Sequence, residues 1–255
     1  MSDRPLSANA ASGETVPCED CPLRRRAAFR SLSEDELHFI ERLKIGEATF
    51  VKGQALLTEG TRSPYVYTVL HGWGFRYKLL EDGRRQILNY ALSGDFLGLQ
   101  ASVFGDTGYS VEALGPLRAC VFQRERLWEL YKSWPSLAFD LTWLAAREER
   151  ILDDNLLSVG RRSALERVAY LVMHLFARAE SVGLATGDRL TLPITQQHVA
   201  DTLGLSLVHT NKTLSRLVRL GLLRWHAGSL ALVERDKLAA LAGFDLEARS
   251  VRPLI

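Results

Sequence analysis

The sequence predicts an α+β protein in which an antiparallel β-roll, a long helix and a winged helix-turn-helix follow one another. Three observations carry this. Between about Glu47 and Arg124, short apolar runs are broken by Lys52-Gly53, Glu59-Gly60, Gly72-Trp73-Gly74, Asp82-Gly83, Gly94-Asp95 and Gly115-Pro116, the punctuation of a multi-stranded antiparallel sheet. From Pro135 no glycine or proline interrupts the chain until Gly160, enough for a helix of about seven turns. From Thr195 to Leu220, TQQHVADTLGLSLVHTNKTLSRLVRL reads as two short amphipathic helices joined at Gly204.

In chain order, residues 1–32 form an arm. Its first 17 residues are small and polar, with Pro5, Ser7, Asn9, Ser12, Gly13 and Pro17, which predicts flexibility. The CxxC of Cys18-Glu19-Asp20-Cys21 follows. Residues 33–134 form the roll domain, opened by a helix through Leu43 that Ser33 and Glu36 start as a capping box. GWGFRYKLLEDGRRQILNYAL is its clearest hairpin, with Asp82-Gly83 as the turn and Arg84 and Arg85 as a solvated tip. Residues 135–160 form the long helix. Leu137, Leu141, Leu144, Glu148, Ile151, Asn155 and Ser158 recur at spacings of four and three, a heptad stripe that predicts a dimer seam, the alternative being packing on the roll. Residues 161–255 form the winged domain, hinged at Gly160 to Ser163. Its first helix runs to about Ala179 behind a second capping box, Ser163 with Glu166.

Thr195 caps the first helix of the helix-turn-helix, Gly204 supplies the positive φ that ends it, and Ser206 caps the second. A 3.6-residue period puts Leu207, Leu214, Leu217 and Val218 on one face of that second helix and His209, Lys212, Arg216 and Arg219 on the other. A helix fits the major groove with its first turns at base edges and later cations at phosphates. Val208, His209, Asn211 and Lys212 are therefore expected to read bases, Arg216 and Arg219 to hold the backbone, and Thr195 and Gln196 to flank them. LLRW and SLALV then suit a hairpin wing. The competing reading is an ordinary helical hairpin with a solvated charged face.

Composition narrows the class. The chain is 47% hydrophobic with a net charge of +2, yet Lys and Arg outnumber Asp and Glu from Arg161 onward, where the helix-turn-helix lies. No apolar run approaches a bilayer span and MSDRPLSANA has no signal core, so the expected compartment is the cytoplasm, without a membrane partner. Three cysteines are too few for a disulfide framework. No Ser/His/Asp or paired-carboxylate arrangement has an interpretable context. His174 and His198 fall in amphipathic helices, and Trp128, Trp134 and Trp143 read as packing residues.

The order of these parts resembles the Crp/Fnr superfamily of bacterial transcription regulators, on EDGRRQILNYALSGDFLGL in the roll, GRRSALERVAYLV after the long helix and the 195–220 reader. The resemblance implies a cyclic-nucleotide-binding-like roll and no enzyme activity. It also implies a homodimer on a pseudo-palindromic operator of double-stranded DNA, with RNA polymerase as a further partner. Members that bind cyclic nucleotides carry an Arg where this chain has Gly108 and Tyr109, which argues against that ligand. Many members carry Glu at the position of Val208 and Ser-Arg at Asn211-Lys212, so the common operator does not carry over.

Cys18, Cys21 and Cys120 resemble three of the four ligands of the oxygen-sensing Fnr-like branch, which implies a [4Fe-4S] cluster, while Ala27 stands where the fourth would be. Glu19, Asp20 and His38 are the candidate substitutes, and Arg24, Arg25 and Arg26 would favour thiolates. Three readings of the cysteines stay open: a cluster or other metal site, a thiol switch, and small buried hydrophobes. Two further functions compete with a regulator. A CxxC oxidoreductase would need its cysteines at a helix N-terminus, not beside Pro17 and Pro22, and a nucleotide-gated or structural module would not need the Lys212, Arg216, Arg219 arc.

Overall fold

The computed structural model describes residues 15–226, 228–247 and 251–255. The proposed flexibility of residues 1–14 lies outside them. Helix α1 (Glu34–Leu43) begins at the expected capping box, with the Ser33 hydroxyl accepting from the Glu36 amide and the Glu36 carboxylate accepting from that of Ser33. The roll consists of β1 (Lys44–Phe50), β2 (Ala55–Leu57), β3 (Tyr65–His71), β4 (Gly74–Leu79), β5 (Arg85–Ala91), β6 (Phe96–Leu97), β7 (Ser110–Ala113) and β8 (Leu117–Gln123), with α2 (Leu99–Phe104) between β6 and β7. Two antiparallel sheets, ordered β1-β8-β3-β6 and β2-β7-β4-β5, close over Tyr67, Val69, Leu97, Val111, Leu117 and Ala119.

Helix α3 (Leu127–Ser133) precedes α4 (Pro135–Arg161), which proline starts at its first turn. Trp134 stacks on Phe39 at 5.1 Å and Trp143 packs on the same core, but Trp128 is 67% exposed beside Tyr131 and does not serve as packing.

The stripe on α4 points elsewhere than expected. Leu137, Leu141 and Leu144 are buried within the protomer against Phe39, Ile40 and Leu43, and Ile151 is buried too. Glu148 accepts from Arg76 and, at 3.3 Å, from Asn89, while Asn155 donates to the Leu88 carbonyl at 2.7 Å. The heptad therefore seats α4 on its own roll, and its polar members sit where the roll presents unmatched donors and a carbonyl.

The winged domain comprises α5 (Ala164–Ser181), β9 (Ala185–Thr186), β10 (Arg189–Thr191), α6 (Gln196–Leu203), α7 (Leu207–Arg219), β11 (Leu223–His226), β12 (Ser229–Leu232) and α8 (Arg235–Ala242). The wing is a sheet ordered β11-β12-β10-β9 rather than a lone hairpin. Helix α6 rests on β5. Arg85 pairs with Asp201 at 2.8 Å, Gln86 donates to the Thr202 carbonyl at 3.0 Å, and Tyr90 shares a 2.9 Å hydrogen bond with the Thr202 hydroxyl. Arg85 is thus an interdomain anchor, while Arg84 stays exposed at the hairpin tip with Asp82.

Asp95 is the polar centre of the molecule. It is buried and accepts from Arg178 of α5 at 2.5 Å, Arg252 at 2.7 Å, Arg147 of α4 at 3.3 Å and the Leu92 amide at 2.8 Å. Burial alone would raise its pKa, but the three guanidiniums hold the carboxyl below the usual range. His174, one turn before Arg178, is half-buried with its Nε2 shut off from solvent, and its pKa is lowered to about 3 by desolvation and then by Arg178 and Arg147.

Candidate nucleic-acid interface and cysteine cavity

At α6 the Thr195 hydroxyl accepts from the His198 amide at 3.3 Å, and His198 Nδ1 accepts from the Thr195 amide at 3.0 Å. His198, read from sequence as an ordinary helix residue, closes a capping box and lies 5.3 Å from the Phe75 ring. Val199, Ala200 and Leu203 turn inward. Gly204, at φ +63, ends the helix in the left-handed region, and the Ser206 hydroxyl then accepts from the His209 amide at 3.2 Å to start α7.

The buried face of α7 is Thr210, Thr213, Leu214 and Leu217, because Thr213 satisfies its hydroxyl on the His209 carbonyl at 2.8 Å and can turn its methyl inward. Leu207 and Val218, expected there, are 43% and 42% exposed. Val208, His209, Lys212, Arg216 and Arg219 are exposed along one side, with Thr195 and Gln196 exposed at the start of α6. Asn211 is half-buried, and its Oδ1 has no hydrogen-bond partner among the described residues.

The second site joins residues that are remote in sequence. Residues 15–32 fold as successive tight turns against the roll, with Cys18, Cys21, Leu23 and Phe29 buried, so this part of the arm is packed, not flexible. Arg30 fixes it to α1 and α4 through Glu36 and Asp140. Cys18 and Cys21 thereby line a cavity of about 160 Å³ together with Cys120 of β8. Lys44 and Arg24 stand at its wall, Lys44 donating at 2.7 Å to Glu47 and Arg24 at 3.1 Å to the Cys18 carbonyl.

Burial pushes the Cys120 thiol up to about 12 against the pull of Lys44, and pushes Cys18 up against Lys44 and Arg24. Glu19, Asp20 and His38 are exposed and do not line the cavity, and neither do Arg25, Arg26 or Ala27. The carboxylate and imidazole residues that line it are instead Glu47 and His71. Among the described residues no three His, Cys, Asp or Glu groups converge as ligands of one metal ion. A [4Fe-4S] cluster takes four thiolates on separate irons, and the cysteines lining this cavity number three.

Side chains of the chain itself bridge the seam between roll and α4. Arg76 pairs with Glu148 and lies 3.9 Å from the centre of the Tyr109 ring, and Tyr109, at the position where nucleotide-binding members place an Arg, is buried.

Comparison with known proteins followed both halves. Residues 47–133 match the profile of the cyclic nucleotide-binding domain, and residues 166–241 that of the Crp-like helix-turn-helix domain. The chain is 34% identical over 225 residues to the nitrogen fixation regulation protein FixK of Bradyrhizobium diazoefficiens, spanning 88% of this chain and 93% of the other. It is 30% identical over 212 residues to the transcriptional activator protein FnrL of Cereibacter sphaeroides, spanning 81% and 83%. The solved structure of FixK2 from Bradyrhizobium japonicum superposes with a TM-score of 0.70 at 31% identity, over 76% of this chain and 96% of that one. No helix among the described residues is long and apolar enough to cross a membrane.

Proposed function

The chain belongs to the Crp/Fnr family of transcription regulators and carries its DNA-binding helix-turn-helix, and from that premise we propose that it binds a pseudo-palindromic operator as a homodimer and senses oxygen or redox state through its three cysteines. The observation that carries the sensing reading is the convergence of Cys18 and Cys21 from the arm and Cys120 from the last strand of the roll on one cavity beside Lys44. A bound [4Fe-4S] cluster would supply an oxygen-reactive redox centre there. Cys18, Cys21 and Cys120 would hold it as thiolates, and Lys44 and Arg24 would offset its negative charge. A cyclic nucleotide is not the proposed ligand, since Arg76, Glu148 and Tyr109 occupy the seam between roll and α4.

For DNA, Val208, His209 and Lys212 meet base edges, with Asn211 behind them, and Arg216 and Arg219 meet phosphates. Thr195 and Gln196 flank the backbone. For the homodimer, the seam moves to the other side of α4. Phe139, Thr142, Ala146, Glu149, Asp153 and Leu156 are exposed and recur at spacings of three and four, so a second copy of α4 completes them. Leu137, Leu141, Leu144, Glu148, Ile151 and Asn155 support that seam from behind. A two-fold dimer sets its readers about 34 Å apart.

Anaerobic purification, iron assay and DNA shift with and without oxygen test the sensor. Iron in the wild type, lost in Cys120→Ser together with the oxygen response, supports it. Iron-free protein whose Cys18→Ser, Cys21→Ser and Cys120→Ser variants bind DNA identically in both atmospheres overturns it.

A further inference from the structure

The cysteine cavity has a wall that belongs to neither the arm nor the roll. Leu254 and Ile255 line it. Leu254 packs with Cys21, Leu23, Phe29 and Val182, the last directly after α5, and Ile255 joins the core of Cys18, Cys120 and Phe122. Both are buried, and the Thr68 hydroxyl donates to the Ile255 carbonyl. Two residues earlier, Arg252 exchanges backbone hydrogen bonds with the arm, donating to the Ala28 carbonyl and accepting from the Arg30 amide, each at 2.9 Å. Its guanidinium crosses the Phe29 ring at 4.6 Å to reach Asp95 and, at 2.7 Å, the Ser93 carbonyl. The Phe29 ring in turn lies against Gly94, where φ is +83 and a side chain would collide with it.

We propose that Val251–Ile255 is a strap that closes the cysteine cavity and reports its state to α5 through Asp95. This rests on the sensing reading above and names how the same site is regulated. The strap meets the arm through a single parallel bridge, Phe29 to Arg252, rather than a ladder, so its backbone alone holds it weakly. Its side chains hold it, and two of them, Leu254 and Ile255, line the cavity. Added bulk at the thiols overpacks Leu254 and Ile255 and expels them. Arg252 leaves with them. Asp95 then keeps two guanidiniums instead of three, and Arg178, which also donates to Asn89 and the Tyr90 carbonyl, resettles on a changed partner. Because α5 leads into the helix-turn-helix, the event at the thiols biases the position of the reader.

The test uses reduced, metal-free full-length protein and iodoacetamide, with modification at each cysteine followed by mass spectrometry. Arg252→Ala, and separately Leu254→Ala, is expected to raise the alkylation rate of Cys18 and Cys120 by about tenfold or more. Unchanged rates in both variants overturn the strap. A wild-type experiment decides the matter should either variant fail to melt cooperatively. Hydrogen exchange is compared before and after N-ethylmaleimide modification of Cys120, and amides of 251–255 and of α5 are expected to lose protection together while β2 and β7 keep theirs. Opening of α5 with the strap still protected overturns the coupling. None of these readouts uses iron or DNA, so failure of the sensing reading leaves a separate signature in the iron assay.

Discussion

Helices α4 and α7 both carry amphipathic patterns, but the protomer buries the patterned stripe of one and leaves the polar stripe of the other in solvent. On α4 the stripe from Leu137 to Asn155 finds its partners at home: leucines against α1, Glu148 on Arg76, Asn155 on the Leu88 carbonyl. On α7 the apolar side is completed by Thr210, Thr213, Leu214 and Leu217, and the cationic side faces out. Periodicity tells which residues share a face and not what that face meets. Where polar residues interrupt an apolar stripe and are themselves satisfied inside the chain, the stripe is intramolecular; where they are exposed and cationic, the missing partner is another molecule.

Five measurements break or sharpen this contrast. Leu141→Ala should lower folding stability by about 2 to 5 kcal/mol in chemical denaturation. Phe139→Glu with Leu156→Glu should leave the concentration-independent unfolding of the protomer nearly unchanged and shift sedimentation toward monomer. The reverse pattern would return the seam to the buried stripe.

On α7, Lys212→Ala should cost about 1 to 3 kcal/mol in binding to the preferred operator, with no change in melting temperature. A melting shift comparable to the loss of binding would mean that α7 is completed within the protein after all.

Helix α5 supplies an intermediate case, since its polar His174 is half-buried, with Nε2 out of solvent and a lowered pKa. The unfolded chain takes up a proton near the ordinary histidine pKa of about 6.5 and the folded chain does so near 3, so unfolding gains about 1.4 kcal/mol per pH unit as pH falls between those values. Asp95 adds to the loss below the ordinary carboxylate range, because its folded pKa is depressed and protonation removes the charge its arginines pair with. His174→Gln should flatten the upper part of the stability-against-pH curve; an unaltered curve would remove His174 from the account. The smallest effect is expected for Arg216→Ala, a fall of about one in the slope of log affinity against log salt, uniform across sequences, measured by titration at several salt concentrations.

Local signals proved legible where the chemistry is local. Ser33 with Glu36, Ser163 with Glu166, the Gly83 turn, the Gly204 stop and the Ser206 cap each act within a few residues, and each is where the sequence places it. The cysteines are a different case. That Cys120 meets Cys18 and Cys21 could be expected only from family resemblance, since nothing in the spacing brings β8 to the arm. The strap was not visible at all. VRPLI is five residues without period or motif, and its burial depends on Phe29, Gly94 and Asp95, set by three other parts of the fold. Arg85 was misread for the same reason: a loop-tip arginine and an interdomain anchor look alike until Asp201 is in place.

The bridge between Phe29 and Arg252 also sets an order of events during synthesis. Domains fold largely as they emerge, N-terminal first. The strands that place Cys120 can pair once β8 has left the ribosome, whereas the last wall of the cavity is made only after α8. For the whole time taken to translate the winged domain, the three thiols sit around a cleft that still lacks Leu254 and Ile255, and a cluster of the kind proposed above would enter in that interval without displacing them.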